Sequence, residues 1–146
     1  MGFVFMRRDL FANRNILITG GSKGIGLAIA REFAARGANL FLLARGQAAL
    51  EDAAQGIARD YTSIRVGTCA CDVSDYGAVQ AAVDTMRSRF GEIHGVVNNA
   101  GFATPQYFEQ IEPAEFRRVM EVDYLGSVYV TKAVMPHLDR GAFVAF

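Results

Sequence analysis

Lysine is scarce in this chain: Lys23 and Lys132 are the two it contains. Chemistry that needs a lysine amine therefore has two places to come from. Cysteine is as scarce, with Cys69 and Cys71 in the run Val66-Gly67-Thr68-Cys69-Ala70-Cys71. That run reads as a strand, whose alternation puts both thiols on one face, as small buried hydrophobes. His94 and His137 are the two histidines and lie far from the cysteines in sequence. A zinc set therefore lacks ligands, and no metal site is expected. Two cysteines build no disulfide framework, which fits a reducing compartment and a cytoplasmic chain. Neither sign of charge dominates, since 15 basic residues balance 15 acidic ones. That balance argues against a nucleic-acid surface. Long apolar runs are missing too. The opening Met1-Gly2-Phe3-Val4-Phe5-Met6 is too short for a signal-peptide core or a membrane span, so no integral membrane segment is expected. Met1-Gly2 starts like a myristoylation signal, but residue 6 is Met where Ser or Thr is needed. Met1 and Met6 are both admissible starts.

What is present is a core-forming composition, 51% apolar over 146 residues, enough for one domain. Residues 1–12 read as an N-terminal extension and 13–146 as the domain. Strand-like and helix-like segments alternate along it. Strands are expected at 15–19, at Asn39–Ala44, at 64–71 and at His94–Asn98, with a fifth opening near Ala142. Helices are expected at 24–36, at 47–60, from an Asp75 cap to Phe90, and from Pro113 to Leu138 as one long element. Gly37 is a natural stop for the first helix, and Pro113 suits a first helical position. Asn39-Leu40-Phe41-Leu42-Leu43-Ala44 is a continuous apolar run, typical of a strand buried on both faces. Strands alternating with helices of this length imply an α/β fold, a Rossmann-type doubly wound parallel sheet with its ligand at the carboxyl ends of the strands. The sheet is expected to be cut short after its fifth strand begins.

The most informative run is Thr19-Gly20-Gly21-Ser22-Lys23-Gly24-Ile25-Gly26, set between the strand Ile16-Leu17-Ile18 and the helix opening at Leu27. A glycine turn leading into a helix is an anion site, because the helix start offers unpaired N–H groups and partial positive charge. Glycine also lets backbone approach a pyrophosphate closely. Gly20, Gly24 and Gly26 give G-x-x-x-G-x-G. A P-loop would end in Gly-Lys-Ser/Thr, whereas Lys23 here precedes Gly24. Ser22 and Ile25 complete the turn as candidate cofactor contacts. Arg45 ends the second strand, where dinucleotide folds that bind NAD place an acidic residue. A guanidinium there, with Lys23 in the turn, favours the 2′-phosphate of NADP(H). Two solvated surface cations are the plain alternative. Asp72-Val73 ends the third strand, where the carboxylate can accept from an adenine amino group or serve as a turn residue. Asn98-Asn99-Ala100-Gly101 ends the fourth, and its small residues let backbone lie against a ribose. Asn99, Ala100 and Gly101 are the candidate contacts there.

In order and spacing, Thr19–Gly26, Asp72-Val73, Asn98–Gly101 and Asp123-Tyr124-Leu125-Gly126-Ser127-Val128 resemble the short-chain dehydrogenase/reductase family. The resemblance covers nearly the whole chain from about residue 13 onward. Ala44-Arg45 and Tyr124–Tyr129 are most similar to the 3-ketodihydrosphingosine reductase branch, although the Lys that this branch often carries four residues after the Arg is Ala49 here. The resemblance implies hydride transfer between NADP(H) and a small-molecule carbonyl or alcohol. A Tyr serves as general acid/base, a Lys four residues on lowers its pKa, a Ser orients the substrate oxygen and an Asn holds a relay water. It also implies a homo-oligomer joined through the long helix near 113–138.

Two departures follow. Tyr61, Tyr76, Tyr107, Tyr124 and Tyr129 are followed four residues later by Arg65, Gln80, Ile111, Val128 and Ala133, never by Lys. The resemblance places the family's Ser, Tyr and Lys beyond Phe146, so the chain reads as the cofactor-binding half, with negligible turnover by itself. Asp123 stands at the family's Asn position, and a carboxylate there accepts but does not donate. The expected function is thus NADP-dependent reduction of a carbonyl, a 3-keto sphingoid base being one candidate. The alternatives are a non-catalytic nucleotide-binding or partner-binding module, and a fragment whose open sheet edge aggregates. His94 and His137 read as packed or surface residues, and Lys132 as solvated. Phe116, Val119, Met120, Val122 and Leu125 read as core or subunit contact.

Overall fold

The computed structural model describes residues 10–146. Met1, Gly2 and Met6 lie outside the described residues. The elements alternate as β1 (Asn15–Thr19), α1 (Gly24–Ala34), β2 (Asn39–Ala44), α2 (Gln47–Asp60), β3 (Val66–Ala70), α3 (Tyr76–Phe90) and β4 (Ile93–Val97). A 3₁₀ turn at Phe108–Gln110 leads to α4 (Pro113–Val119), a π turn (Met120–Leu125), α5 (Gly126–Val134), a second 3₁₀ turn (Met135–His137) and β5 (Leu138–Ala145).

All five strands run parallel in the order β3-β2-β1-β4-β5. The apolar runs of β1 and β2 lack alternation because helices cover both faces. On one face Ile16, Ile18, Leu40 and Leu42 pack with Ala30 of α1 and Leu50 and Ile57 of α2. On the other, Leu17, Phe41 and Leu43 pack with Val79, Val83 and Met86 of α3 and Val130 and Val134 of α5. The chain steps outward from β1 to β3, then returns to lay β4 on the opposite side of β1. That reversal opens a crevice at the strands' carboxyl ends.

The local signals act as expected at several helix ends. Asp75 caps α3 by accepting from the Ala78 N–H at 3.1 Å. Gly37 takes φ 84° just beyond α1, in the left-handed region that glycine enters without strain. Phe11 packs edge-on to Phe33, with ring centroids 4.9 Å apart. No helix among the described residues is long and apolar enough to cross a membrane.

The long helix expected over 113–138 is divided. Its middle widens into the π turn at Met120–Leu125, and its end tightens into 3₁₀ at Met135–His137. Pro136 lacks the N–H that another helical turn needs, so the chain leaves the helix there. The fifth strand consequently starts at Leu138 rather than near Ala142, and it pairs with β4 as far as Val97↔Ala145.

Candidate functional site

A cleft of about 480 Å³ opens at the carboxyl ends of the strands. The glycine turn contributes Gly20, Ser22, Lys23, Gly24, Ile25 and Gly26. Arg45 comes from the end of β2, Asp72 and Val73 from the end of β3, and Asn99, Ala100 and Gly101 from the end of β4. Every residue singled out in the sequence as a cofactor contact thus borders this one cavity. Phe102 lines it as well, and so do Cys71 and Val122, which the sequence offered only as a small buried hydrophobe and as core or subunit contact.

The cleft floor is stitched across the strand reversal by Thr19. Its hydroxyl oxygen accepts from the Asn99 N–H at 3.0 Å and the Ala100 N–H at 2.9 Å, and the hydroxyl donates to the Val97 carbonyl at 3.5 Å. The Asn99 amide returns a bond to the Thr19 carbonyl at 3.1 Å. Close approach is possible there because Gly26 has no side chain. A Cβ on it would overlap the Gly20 carbonyl oxygen and lie 2.5 Å from the Asn99 amide nitrogen. The start of α1 therefore sits on the strand ends, and no side chain caps its first N–H groups. The start of α2, at Gly46 beside Arg45, is likewise uncapped. Two helix N-termini with free donors, joined by the exposed cations Lys23 and Arg45, make one wall of the cleft attractive to anions.

Asp72 supplies the opposite charge. Hydrogen bonds from the Ser74 hydroxyl (2.7 Å) and the Ser74 N–H (3.0 Å) to one carboxylate oxygen hold its carboxyl below the usual carboxylate range, and the charges of Arg45 and Arg118 act the same way. The other oxygen makes no hydrogen bond among the described residues.

Asp123 lies in the π turn, just behind the cleft wall. One carboxylate oxygen accepts from the Phe102 N–H at 3.1 Å, and the Asp123 carbonyl accepts from the Ser127 hydroxyl at 2.9 Å. The side chain thus pins the loop after β4 to the helix, at a widened turn of the kind often found at functional sites.

The two histidines stay out of the cleft. His94 Nδ1 accepts from the Asn15 N–H at 3.0 Å, at the opposite end of the sheet. Glu92, His94 and Asp139 come together there, with ligand atoms within 4.8 Å of one another. They make a poor ligand set. The bond at Nδ1 assigns the proton to Nε2, and Arg14 lies 3.4 Å from the Asp139 carboxylate.

Residues 14–144 match the family described as short chain dehydrogenase. The chain belongs to the short-chain dehydrogenase family. It is 42% identical over 133 residues to 11-beta-hydroxysteroid dehydrogenase 1A of Arabidopsis thaliana, covering 89% of this chain and 38% of that protein. It is 37% identical to the 3-dehydrosphinganine reductase TSC10A of the same plant, covering 88% of this chain and 39% of that one. Among solved structures, L-sorbose reductase from Gluconobacter frateurii in complex with NADPH and L-sorbose superposes with a TM-score of 0.83 at 32% identity, over 91% of this chain and 50% of that chain. The chain thus spans well under half the length of these two curated relatives.

In this short-chain dehydrogenase a buried thiol also lies in the cleft wall. Burial pushes the Cys71 thiol up to about 11, helped by Cys69, Asp72 and Asp75 nearby. The thiolate is the reactive form, so Cys71 is expected to alkylate at pH 8 more than about 100-fold slower than an ordinary thiol of pKa about 8.5. The sign for stability follows. The folded protein holds this proton more tightly, so the contribution is complete below about pH 8.5 and is lost as pH rises towards 11. Mass spectrometry after timed iodoacetamide labelling tests the first expectation, and comparable labelling of Cys69 and Cys71 would contradict it. Unfolding curves across that alkaline window, compared with Cys71→Ala, test the second, and identical pH slopes in the two proteins would refute it.

Proposed function

We propose that this chain holds NADP(H) for an oxidoreductase that moves hydride between the nicotinamide and a small-molecule carbonyl or alcohol. The observation that carries the reading is the convergence of the glycine turn, Lys23 and Arg45 on one cleft. The residues fit the cofactor's chemistry. The uncapped starts of α1 and α2 suit phosphate oxygens, Gly26 admits the close backbone approach, and Arg45 and Lys23 suit a 2′-phosphate. When bound, the nicotinamide supplies or accepts the hydride. The chain's own residues would bind and orient: Asp72 would accept from the adenine amino group, and the small Ala100 and Gly101 would admit the ribose. Asp123 holds the Gly101–Phe102 loop in place through the Phe102 N–H. The proton-transfer step is assigned to none of the described tyrosines, because none has a lysine four residues on.

Binding assays decide the cofactor. NADPH is expected to bind at least about 10-fold tighter than NADH, and Arg45→Glu to reverse that order, since a charge-assisted hydrogen bond contributes about 1.5–3 kcal/mol. Equal affinities in the wild type would sink the NADP assignment.

For the substrate we propose a ketone on a lipid skeleton, with a 3-keto sphingoid base as first candidate. Similarity to the 3-dehydrosphinganine reductase supports that choice. The hydroxysteroid dehydrogenase, at 42% identity, supports the broader class equally. No NADPH oxidation on 3-ketodihydrosphingosine by the whole protein would remove the sphingoid refinement.

We also propose self-association through the helical segment. Phe116, Met120, Tyr124 and Val128 expose 39, 54, 59 and 40% of their surface at four-residue spacing, one apolar stripe along α4, the π turn and α5. Tyr124→Arg is expected to shift the protein to monomer in sedimentation. An unchanged oligomer, or a monomeric wild type, would remove the proposal.

A further inference from the structure

The helical segment formed by the π turn and the start of α5 meets the cleft wall in two places, and a glycine makes room at each. A Cβ on Gly101, in the loop after β4, would lie 3.1 Å from an Asp123 carboxylate oxygen. A Cβ on Gly126, the first residue of α5, would lie 2.6 Å from Val73 Cγ2, 3.1 Å from Val73 Cβ and 3.5 Å from the Val73 carbonyl oxygen. Val73 is 5% exposed and lines the cleft from the end of β3, whereas Gly126 does not itself border the cleft. One segment thus backs the wall at both the β3 end and the β4 loop.

The backbone of Gly126 does not require glycine. Its φ of −56° and ψ of −46° are ordinary helical values, and alanine would serve a helix better. The closeness of Val73 is the constraint, and neither side yields easily. Val130 and Ala133, four and seven residues on and therefore on the same helix face, press α5 into the core. Val73 is β-branched and stiff at χ1. The added carbon would meet its Cβ and carbonyl oxygen as well as Cγ2, so turning the side chain gives no full relief.

We propose that Gly126 is a positioning residue for the cleft. By letting α5 lie directly against Val73, it sets where the end of β3 stands in the cavity and so the room left for a dinucleotide. The proposal rests on the dinucleotide reading above and adds a residue outside the cavity, on a helix remote from the glycine turn in sequence, that acts through Val73.

The signature of such a role is compensation. Calorimetric titration of NADPH into the full 146-residue chain would compare wild type, Gly126→Ala, Val73→Ala and the double variant. Gly126→Ala is expected to weaken NADPH about 10-fold, because overpacking shifts Val73 into the cavity. Val73→Ala removes the methyl groups that the new Cβ would strike, so the double variant is expected to bind within about threefold of wild type even though it unfolds at lower urea. A residue that served stability alone would leave the two losses of affinity to add. Gly77→Ala, at an exposed glycine of α3 where no listed neighbour comes closer than 3.4 Å to the added Cβ, is expected to leave NADPH binding unchanged. If Gly126→Ala binds NADPH within about threefold of wild type, the wall does not depend on Gly126 and the proposal is overturned. Failure of Val73→Ala to restore binding in the double variant overturns it equally. Should Gly126→Ala not fold by itself, the double variant still decides, since it is expected both to fold and to bind. If the wild type binds no NADPH, the dinucleotide reading fails and this inference falls with it.

Discussion

Gly26→Ala is expected to abolish detectable dinucleotide binding and to lower stability by about 3 kcal/mol, the upper part of the range for forcing a methyl group into filled space. Most substitutions of glycine by alanine in a helix stabilise it, since alanine is the better helix former by about 1 kcal/mol. Here the packing term wins. The added Cβ would overlap the Gly20 carbonyl oxygen and meet the Asn99 amide nitrogen at 2.5 Å. Neither neighbour can yield cheaply. Gly20 is backbone held at φ 67°, and the Asn99 amide is bonded to the Thr19 carbonyl at 3.1 Å. Relief requires α1 to lift off the strand ends, which carries its N-terminal donors away from any bound pyrophosphate. Urea unfolding and calorimetric titration of NADPH would read both effects together. A variant that binds NADPH within about threefold of wild type would show that the turn yields more easily than its geometry implies.

Thr19→Val is expected to cost about 2 kcal/mol of stability, because a nearly isosteric change strands two half-buried backbone donors, each toward the lower end of about 1–3 kcal/mol. Thr19 is 2% exposed, and its hydroxyl oxygen is the acceptor for both the Asn99 and the Ala100 N–H. The methyl group gained in valine recovers less than about 1 kcal/mol of transfer free energy. The loss of bonds therefore decides the sign. Thr19→Ser keeps the hydroxyl and is expected to retain most of the stability. Chemical denaturation of the two variants side by side separates the hydroxyl from the lost packing. Equal destabilisation by Val and Ser would mean that packing, and not the stranded donors, sets the cost.

Much of the architecture was legible because it depends on local pattern. The strand runs of β1 and β2, the cap at Asp75, the stop at Gly37 and the first-turn Pro113 act within a few residues of chain. The cleft residues were legible for a related reason. A doubly wound sheet delivers every strand's carboxyl end to the same side, so motifs at those ends must converge. Thr19 was visible as part of the glycine motif, but the use of its hydroxyl was not. Its acceptor role depends on β4 lying beside β1, and its bonded partners are 80 and 81 residues away in sequence. The division of the long helix was hidden as well. The expected helix ran on to Leu138, past Pro136, and the π turn around Asp123 has no proline or glycine within it; the register of a helix that spans a packed surface is settled by that surface.

The sequence by itself determined the fold class, the parallel sheet, the position of the glycine turn and the presence of a basic residue at the end of the second strand. Each of these follows from short-range chemistry: apolar periodicity, the conformational freedom of glycine and the handedness of strand crossovers. Only the tertiary structure decided that Thr19 joins β1 to β4, that Asp123 holds the loop behind the cleft and that Cys71 comes to lie buried in its wall. Those facts concern which polar groups meet after distant segments pack. Hydrogen bonding and desolvation act over a few ångströms of space, whatever the distance along the chain.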